Sequence, residues 1–454
     1  MTTATLEEKK NVVVRPEPAT THLQPKKTGV GSVFVSNYPP FSFWREDLAG
    51  EAERVLRSPA YPETPLGLYL HIPFCRKRCK FCYFKVYTDK NANSVGRYLE
   101  SLAGEVELYS RLESVQQRQL DFIYFGGGTP SFISSHQLRQ TVKRFQQAIP
   151  WTSAREVAFE AEPGTLTQSK VAAIREVGVS RLSLGLQNFV DKILIENGRA
   201  HCRKEIDRCR PWVRQQGFDL VNIDLIAGLA GETWQTWKEN VARAIEFDAD
   251  SVTVYQMELP FNTVYSSHIL EGEKLTVADW DTKRDWNDFA IEQLSGAGYE
   301  LSSAYTMVKK GHPADFVYRN QVWQGCDLIG AGVASFGHMN GMHIQNLPGW
   351  GDYNQRIDQG RLPLKRAFRI GAQEQLRREF ILQLKTGQIQ ARYFEKKFGA
   401  DILEHFGPAL RGLQRQGMLE FDQDSVRLTR SGLLQADQLL PEFYQAAYRG
   451  ARYT

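Results

Sequence analysis

"LGLYLHIPFCRKRCKFCYF", residues 66–84, runs from an apolar stretch directly into a loop with three cysteines in eight positions, Cys75, Cys79 and Cys82. The first part, "LGLYLHIPF" (66–74), is short and apolar, which suits a strand buried in a sheet. Comparable runs recur along the chain: "LDFIYFGGGTP" (120–130), "REVAFEAEP" (155–163), "RLSLGLQNF" (181–189), "LVNIDLIAGL" (220–229) and "DSVTVYQMEL" (250–259). Between them lie stretches with helical spacing, such as "SVGRYLESLAGEVELYSRLE", "LTQSKVAAIREVG" and "WQTWKENVARAIEF". About six strand–helix units in series predict an α/β fold with a partial parallel (β/α)6, TIM-like barrel. The strand ends of such a barrel form one rim, and the chain's distinctive residues collect there.

Outside this repeat the pattern changes. Residues 1–60 read as a polar N-terminal arm followed by "GVGSVFVSNYPPFSFW" (29–44), an aromatic, Pro-rich segment that suits a docked extended chain. Residues 61–365 read as the barrel with a C-terminal extension. From 366 to 454, "AQEQLRREFILQLKTG", "ARYFEKKFG" and a short hairpin "MLEFDQDSVRLT" predict a small helical, winged-helix-like domain.

Composition narrows the class of function. The 454 residues carry 56 Lys and Arg against 52 Asp and Glu, too balanced for a general nucleic-acid binder. No run of 18 apolar residues appears, so no membrane span is expected. The N-terminus lacks an apolar signal core, and six cysteines in a chain of this length do not make a disulfide scaffold. A reducing cytoplasmic setting with a metal or cluster site fits these features.

Spacing discriminates among thiolate sites. A structural zinc site draws four ligands from two separated pairs, and no second pair stands near Cys75, Cys79 and Cys82. Three ligands from one C-x3-C-x2-C loop suit a four-iron cluster with one iron left open to a chelating molecule. Arg76, Lys77, Arg78 and Lys80 are expected to help hold the thiols as thiolates. Cys202, Cys209 and Cys326 have no metal-like spacing and read as core or surface thiols.

The cysteine triplet is the signature of radical S-adenosylmethionine enzymes, and the surrounding residues resemble the oxygen-independent coproporphyrinogen III oxidase-like family. The resemblance rests on "YLHIPFC", "FGGGTPS" (125–131), "RLSLGLQNF", "NIDLIAGL", and "DLIGAGVASF" followed by Gln345 and Asn346. It extends to the C-terminal domain, and it places "SNYPPFSFW" over the active site. It implies a 4Fe-4S cluster on Cys75, Cys79 and Cys82, with S-adenosylmethionine chelating the open iron. It further implies S-adenosylmethionine-binding roles for Tyr69, Phe81, Gly127, Gly128, Thr129, Glu160, Gln187, Arg199, Asp224 and Phe336. These positions include residues that the family assigns to two cofactor molecules. Glycines let backbone approach a ligand closely; Glu160, Gln187 and Asp224 suit ribose hydroxyls and an ammonium group, and Arg199 suits a carboxylate. Taken alone, Glu160 and Asp224 read equally well as strand-end caps. Where the family has a small residue in "YQMELP", this chain has Glu258, a candidate proton acceptor; Tyr69 is the second catalytic candidate.

Three activities follow from the resemblance. In the first, a class C radical methyltransferase methylates an sp2 carbon of an aromatic or conjugated ring, the naphthoquinone of menaquinone being a candidate. The second is oxidative decarboxylation of coproporphyrinogen III, a tetrapyrrole; the third is heme carriage by a chaperone of the same superfamily. Phe84 stands where the oxidases usually carry a further cysteine, which favours the first. The chaperones' His-Asn motif falls on "YRNQVW" (318–323), where no histidine stands. His338 and His343 read as structural. An electron donor such as flavodoxin or ferredoxin is implied, and a quinone substrate would place the protein at the inner membrane face.

Overall fold

The computed structural model describes residues 27–61, 63–313 and 315–451; most of the expected polar arm lies outside them. Side chains along β1 (Leu66–Ile72) alternate as a strand requires. Leu66, Leu68, Leu70 and Ile72 are all within 1% of full burial and join the main apolar core. The alternate residues Tyr69 and His71 face a cavity inside the sheet. The same split repeats in β2 (Leu120–Gly127), β3 (Glu156–Ala161), β4 (Arg181–Gln187), β5 (Leu220–Ala227) and β6 (Ser251–Gln256). Leu182, Leu184, Ile223, Leu225, Val252 and Val254 pack in the outer core, whereas Ser183, Asn222, Asp224 and Thr253 line the cavity. Both faces of a parallel sheet are covered; here the inner cover is a polar site rather than a second apolar layer.

These six strands pair in parallel in sequence order, with a helix after each of the first five, as the strand–helix repeat predicts. Side-chain caps define several of the helix starts. Asn91, Thr167 and Asp279 accept from backbone N–H groups, and Ser134 forms a reciprocal capping box with Gln137. Each such cap stabilises its helix by about 1 kcal/mol.

The sheet continues beyond the six strands. On one side β9 (Asp327–Ala331) lies parallel to β1, followed by antiparallel β10 (Phe336–Met339), β11 (Met342–Asn346) and β12 (Leu364–Arg369). On the other, β8 (Thr306–Lys309) runs antiparallel to β6 and carries β7 (Tyr299–Leu301) on its edge. The result is one twelve-stranded sheet, β12-β11-β10-β9-β1-β2-β3-β4-β5-β6-β8-β7. Asn340 and Gly341, at φ 48° and 73°, make the two-residue turn between β10 and β11.

The open side of this partial barrel is crossed by the Pro-rich segment. Gly31 N–H donates to the Leu259 carbonyl at 2.7 Å, just past β6, and Arg45 exchanges backbone bonds of 2.8 and 2.9 Å with Ala367 on β12. The chain between is mostly extended, with a short 3-10 turn at Phe41–Phe43. Residues 31–45 therefore form a strap from one side of the sheet to the other.

The C-terminal unit runs helix Ala372–Leu384, β13 (Gln388–Gln390), helices Ala391–Phe398 and Gly407–Arg415, then β14 (Leu419–Phe421) and β15 (Ser425–Leu428). Its sheet order, β13-β15-β14, is that of a winged helix. Val35 and Tyr38 of the strap are fully buried in this unit's core with Phe380, Phe394, Phe406 and Phe443. β12 spans the position, 365/366, at which the sequence pattern changes. Among the described residues, no helix is long and apolar enough to cross a membrane.

Candidate active site

One cavity of about 1460 Å³ occupies the inside of the barrel, closed on its open side by the strap and by residues 433–438 of the C-terminal unit. All fourteen candidate residues line it: Tyr69, Cys75, Cys79, Phe81, Cys82, Gly127, Gly128, Thr129, Glu160, Gln187, Arg199, Asp224, Glu258 and Phe336. Strand ends β1 to β6 and the loops after them supply most of these positions, which is why residues up to 267 apart in sequence meet.

The three cysteines follow β1 in one loop, and none is in a disulfide. Cys75 Sγ lies 3.3 Å from Thr129 Oγ1, and Arg199 donates from Nη1 to Cys79 Sγ at 3.1 Å and from Nη2 to the Gly185 carbonyl at 2.6 Å. A Cβ on Gly128 would fall 2.9 Å from the Phe74 carbonyl and 3.1 Å from Cys75 Sγ, so glycine is needed for this approach. The expectation for the loop's own cations is met for Arg78, whose charge favours the Cys82 thiolate, and not for Arg76 and Lys80. Arg76 serves the Gly164 and Ala200 carbonyls, Arg78 the Asn262 carbonyl at 2.7 Å, and Lys80 pairs with Glu196 at 3.4 Å. The carbonyls of Gly164, Ala200 and Asn262, in the loops after β3, β4 and β6, and the Glu196 carboxylate attract these side chains, and Arg199, from outside the loop, takes the place beside the sulfur. Burial pushes the Cys75 thiol up to about 12 and Cys82 to about 11, so a bound metal must supply the charge that keeps them deprotonated. Among the described residues no three His, Cys, Asp or Glu side chains converge on a single ion. Three thiols in a cradle floored by glycine fit a polynuclear cluster instead.

Beside the cradle lies a set of buried polar groups with open valences. Gln187 adopts φ 66°, a left-handed conformation costly for a residue with a side chain, and its Oε1 is buried without a partner. Arg199 Nε and His71 Nε2 are likewise buried and unpaired among the described residues. Glu160 accepts from Tyr124 OH at 2.7 Å and from Gly127 N–H at 3.2 Å. Asp224 accepts from Asn222 at 2.9 Å and Ser183 at 3.2 Å. Burial pushes Glu160 up to about 7 and Asp224 up to about 6, against the pull of those hydrogen bonds. Orphaned donors and acceptors around desolvated carboxylates are what a polar ligand with hydroxyl, ammonium and carboxylate groups would satisfy, so the residues present fit S-adenosylmethionine. Tyr69 stacks on Tyr124 at 5.8 Å and reaches His71 Nδ1 at 3.3 Å. Phe81 packs with Tyr265 and Leu259 beside the loop.

Two candidates are placed differently from the simplest expectation. Glu258 is bound to the strap: Ser32 Oγ and the N–H groups of Val33 (3.0 Å) and Phe34 (3.4 Å) all donate to its carboxylate. Phe336 lies under the strap, stacked on Phe41 with ring centroids 4.2 Å apart. Other cavity residues carry no motif. Arg378 and Lys385 sit seven positions apart along the C-terminal unit, and Arg319 on helix Val317–Trp323. Lys385 lies 3.2 Å from Asp437 and donates to the Val35 carbonyl at 2.7 Å. Spacing of seven on a helix marks one face, but sequence does not show that this face meets the barrel. Cys209 and Cys326 are buried core thiols outside the cavity, as expected.

The model of the radical SAM superfamily matches residues 69–244, and that of the HemN C-terminal domain matches 370–434. The chain is 26% identical to heme chaperone HemW of Bacillus subtilis, over 83% of this chain and 98% of that protein. It is 26% identical to the oxygen-independent coproporphyrinogen III oxidase of Escherichia coli, over 88% and 89%, and 27% identical to that of Pseudomonas aeruginosa, over 82% and 83%. The crystal structure of Escherichia coli HemN superposes with a TM-score of 0.78 at 23% identity, covering 90% of this chain and 96% of that one, and shows the same fold. Enzymes of this superfamily use a 4Fe-4S cluster and S-adenosylmethionine. With the cysteine cradle, the polar strand ends and both matched regions in hand, the chain belongs to the radical S-adenosylmethionine enzymes, in the HemN-like group of oxygen-independent coproporphyrinogen oxidases and their relatives.

Proposed function

We propose that the chain acts on a large, carboxylate-bearing tetrapyrrole, by oxidative decarboxylation of the coproporphyrinogen III type. One observation carries this reading. Arg319, Arg366 and Arg378 line the cavity, and their hydrogen-bond partners are the neutral side chains of Ser302, Asn320, Gln345 and Asn37. Among the described residues none of the three has a carboxylate within 4.0 Å, and Arg378 Nη1 is buried without any partner. Ten Lys and Arg line the cavity against five Asp and Glu. Arg378 is the buried one of the three, and a buried guanidinium with no carboxylate hydrogen-bonded to it is costly; propionate groups would complete these sites.

When bound, the cluster and S-adenosylmethionine supply an electron and a hydrogen-abstracting 5′-deoxyadenosyl radical. The chain's own residues do the rest. Glu160 and Asp224 accept ribose hydroxyls, Arg199 offers its unpaired Nε to the cofactor carboxylate, and Gly127 and Gly128 admit it to the backbone. The strap covers the open side of the cavity and limits access of competing hydrogen donors, which would quench a radical. The arginines hold the ring's carboxylates so that one side chain faces the cradle.

Methyl transfer to an sp2 carbon, the menaquinone ring included, is the second reading, favoured by Phe84. That side chain is 44% exposed at the cavity and stacks on Tyr83, where a reactive thiol is expected in the oxidases. Product analysis separates the two. Reconstituted protein with S-adenosylmethionine, a one-electron reductant and coproporphyrinogen III is expected to release CO2 without S-adenosylhomocysteine. S-adenosylhomocysteine formed with menaquinone, and no CO2 from the porphyrinogen, would replace the first reading by the second.

A further inference from the structure

β4 ends in a bulge. Gly185 pairs with Asp224 of β5 and Gln187 with Leu225, which leaves Leu186 as the extra residue. Gln187 follows it at φ 66° and lines the cavity with Oε1 unpaired. A Cβ on Gly185 would fall 3.0 Å from Gln187 Nε2 and 3.7 Å from Arg199 Nη2, so two groups that fit the cofactor lie side by side over this bulge. A left-handed residue with a side chain costs about 1–3 kcal/mol and persists only where its surroundings over-determine it.

His201 supplies that support. Its Nε2 lies 3.2 Å from the Leu186 carbonyl and its Nδ1 2.7 Å from Glu162 Oε1, and the ring is fully buried. Arg199 stands two residues before it. The Ala200 carbonyl between them accepts from Arg76 of the cysteine loop, which also reaches the Gly164 carbonyl at 3.1 Å and Glu162 at 3.8 Å. His201 thus joins the ends of β3 and β4 to the loop that carries Arg199, and Arg76 ties that junction to the cluster cradle.

The contacts also place a proton. A carbonyl only accepts, so His201 Nε2 donates to Leu186. Against burial, the hydrogen bond from His201 and the charges of Arg199 and Arg76 hold Glu162 below the ordinary carboxylate range. Its Oε1 also accepts from Gly164 N–H at 3.0 Å, so Nδ1 must donate to it as well. Burial opposes that second proton on His201 and Glu162 favours it. Without it, either Nδ1 would turn a lone pair on a carboxylate oxygen or Leu186 would lose its donor. The pair keeps one shared proton and is neutral as a whole.

We propose that His201 and Glu162 are positioning residues for S-adenosylmethionine, His201 fixing the Leu186–Gln187 bulge and the Arg199 loop, and Glu162 fixing the ring. Both reactions considered above need this placement.

The test is calorimetric titration of S-adenosylmethionine into full-length, cluster-reconstituted protein, with iron content and melting temperature measured on the same samples. His201→Ala is expected to bind about ten- to a hundredfold more weakly at full iron content. Two conservative variants divide the ring's contacts between them. In His201→Gln the amide nitrogen takes the place of Nε2 and keeps the Leu186 bond, so affinity stays close to wild type. In His201→Asn it takes the place of Nδ1 and loses Leu186, so affinity falls as in alanine. Glu162→Gln can donate to a bare Nδ1 while Nε2–H stays on Leu186, and also binds close to wild type. Wild-type affinity in a loaded His201→Ala protein overturns the proposal, as do equal affinities in the Gln and Asn variants. Iron content or melting temperature that falls while the loaded fraction binds as wild type overturns it too, and assigns the pair to the barrel's stability. Glu162→Gln binding as weakly as His201→Ala would show that the pair supplies charge and not orientation, which also overturns it.

Discussion

The backbone N–H of Val33 donates to the carboxylate of Glu258 at 3.0 Å, tying the strap to the end of β6 across 225 residues of sequence. Phe34 N–H and Ser32 Oγ converge on the same carboxylate. Burial raises the Glu258 pKa above the usual carboxylate range, against these three donors. Such a carboxylate is an anchor first and a proton acceptor only if the strap releases it. Glu258→Ala strands three donors and is expected to destabilise strap closure by about 2–3 kcal/mol, read as faster proteolysis between residues 28 and 45. Glu258→Gln keeps one acceptor and should leave proteolysis near wild type. A Gln variant that closes normally yet loses turnover would restore Glu258 to the chemistry.

The cradle yields a sharper separation among five of the six cysteines. Cys75→Ala, Cys79→Ala or Cys82→Ala is expected to abolish the cluster's visible absorbance after reconstitution and, with it, cleavage of S-adenosylmethionine. Cys209→Ala and Cys326→Ala should keep both, because those thiols are buried away from the cavity. Chelating the iron from wild type should reproduce the cysteine variants. Cleavage that persists in Cys79→Ala would remove the radical assignment.

Glu160 titrates near neutrality because burial raises it to about 7. Below that pH the carboxyl is protonated and loses acceptor capacity toward a ribose. S-adenosylmethionine affinity is therefore expected to fall as the pH drops through about 7, and to be flat above it. Glu160→Gln should bind more weakly at high pH and show little of this dependence. An unchanged pH profile in the variant would exclude Glu160 from the cofactor site.

Arg378, which lines the cavity, bonds Asn37 through Nε at 2.8 Å and leaves Nη1 buried and unpaired. Removing a charged hydrogen bond to a substrate carboxylate costs about 1.5–3 kcal/mol, or roughly ten- to a hundredfold in affinity. Arg378→Ala should weaken coproporphyrinogen III binding by that factor, while cleavage of S-adenosylmethionine in the absence of substrate stays at the wild-type rate. Asn37→Ala controls for the strap contact. Equal loss of both activities in Arg378→Ala would mark it as a structural residue.

The parallel barrel was legible because each of its strands carries an uninterrupted apolar outer row, such as Leu66, Leu68, Leu70 and Ile72. The cradle was legible because its three ligands share one loop. β9 to β12 were not read as strands, although Asn340-Gly341 is a strong hairpin signal. Gly330 interrupts the apolar pattern there because β10 crosses it so closely that a Cβ would lie 2.0 Å from the Phe336 carbonyl. The roles of Glu258 and Lys385 were hidden for another reason. Each acts on the strap, whose path from Gly31 to Arg45 is set by contacts with two separate parts of the chain. No local pattern encodes such a contact, and the same holds for His343, whose Nε2 meets the Tyr38 carbonyl of the strap from 305 residues away.

Glu105 provides the last test, because it holds the turn that carries the strap-facing hairpin. It is fully buried and accepts from Gly332 N–H at 2.8 Å, Asn346 at 2.6 Å and Tyr353 OH at 2.6 Å. Burial nevertheless raises it to about 7 in the folded chain, above the ordinary 4.5 it regains on unfolding. Between those values the folded state keeps a proton that the unfolded state has lost. Stability from this group is thus present at low pH, declines as pH rises from about 4.5 to about 7, and changes no further above that. Asp224, Glu160 and Glu232 are raised in the same direction, while the buried bases His71, His338, His343 and Lys283 are lowered and act in the opposite one. The share of Glu105 is therefore read against Glu105→Gln, which cannot ionise: relative to that variant, wild type should lose melting temperature between about pH 5 and about pH 8. Glu105→Ala leaves three buried donors unpaired and is expected to cost about 3 kcal/mol or more, with hydrogen exchange of Gly332 and Val333 rising first. An alanine variant that melts like wild type at both pH values would show that the turn is held by Ser335 and Asn346 alone.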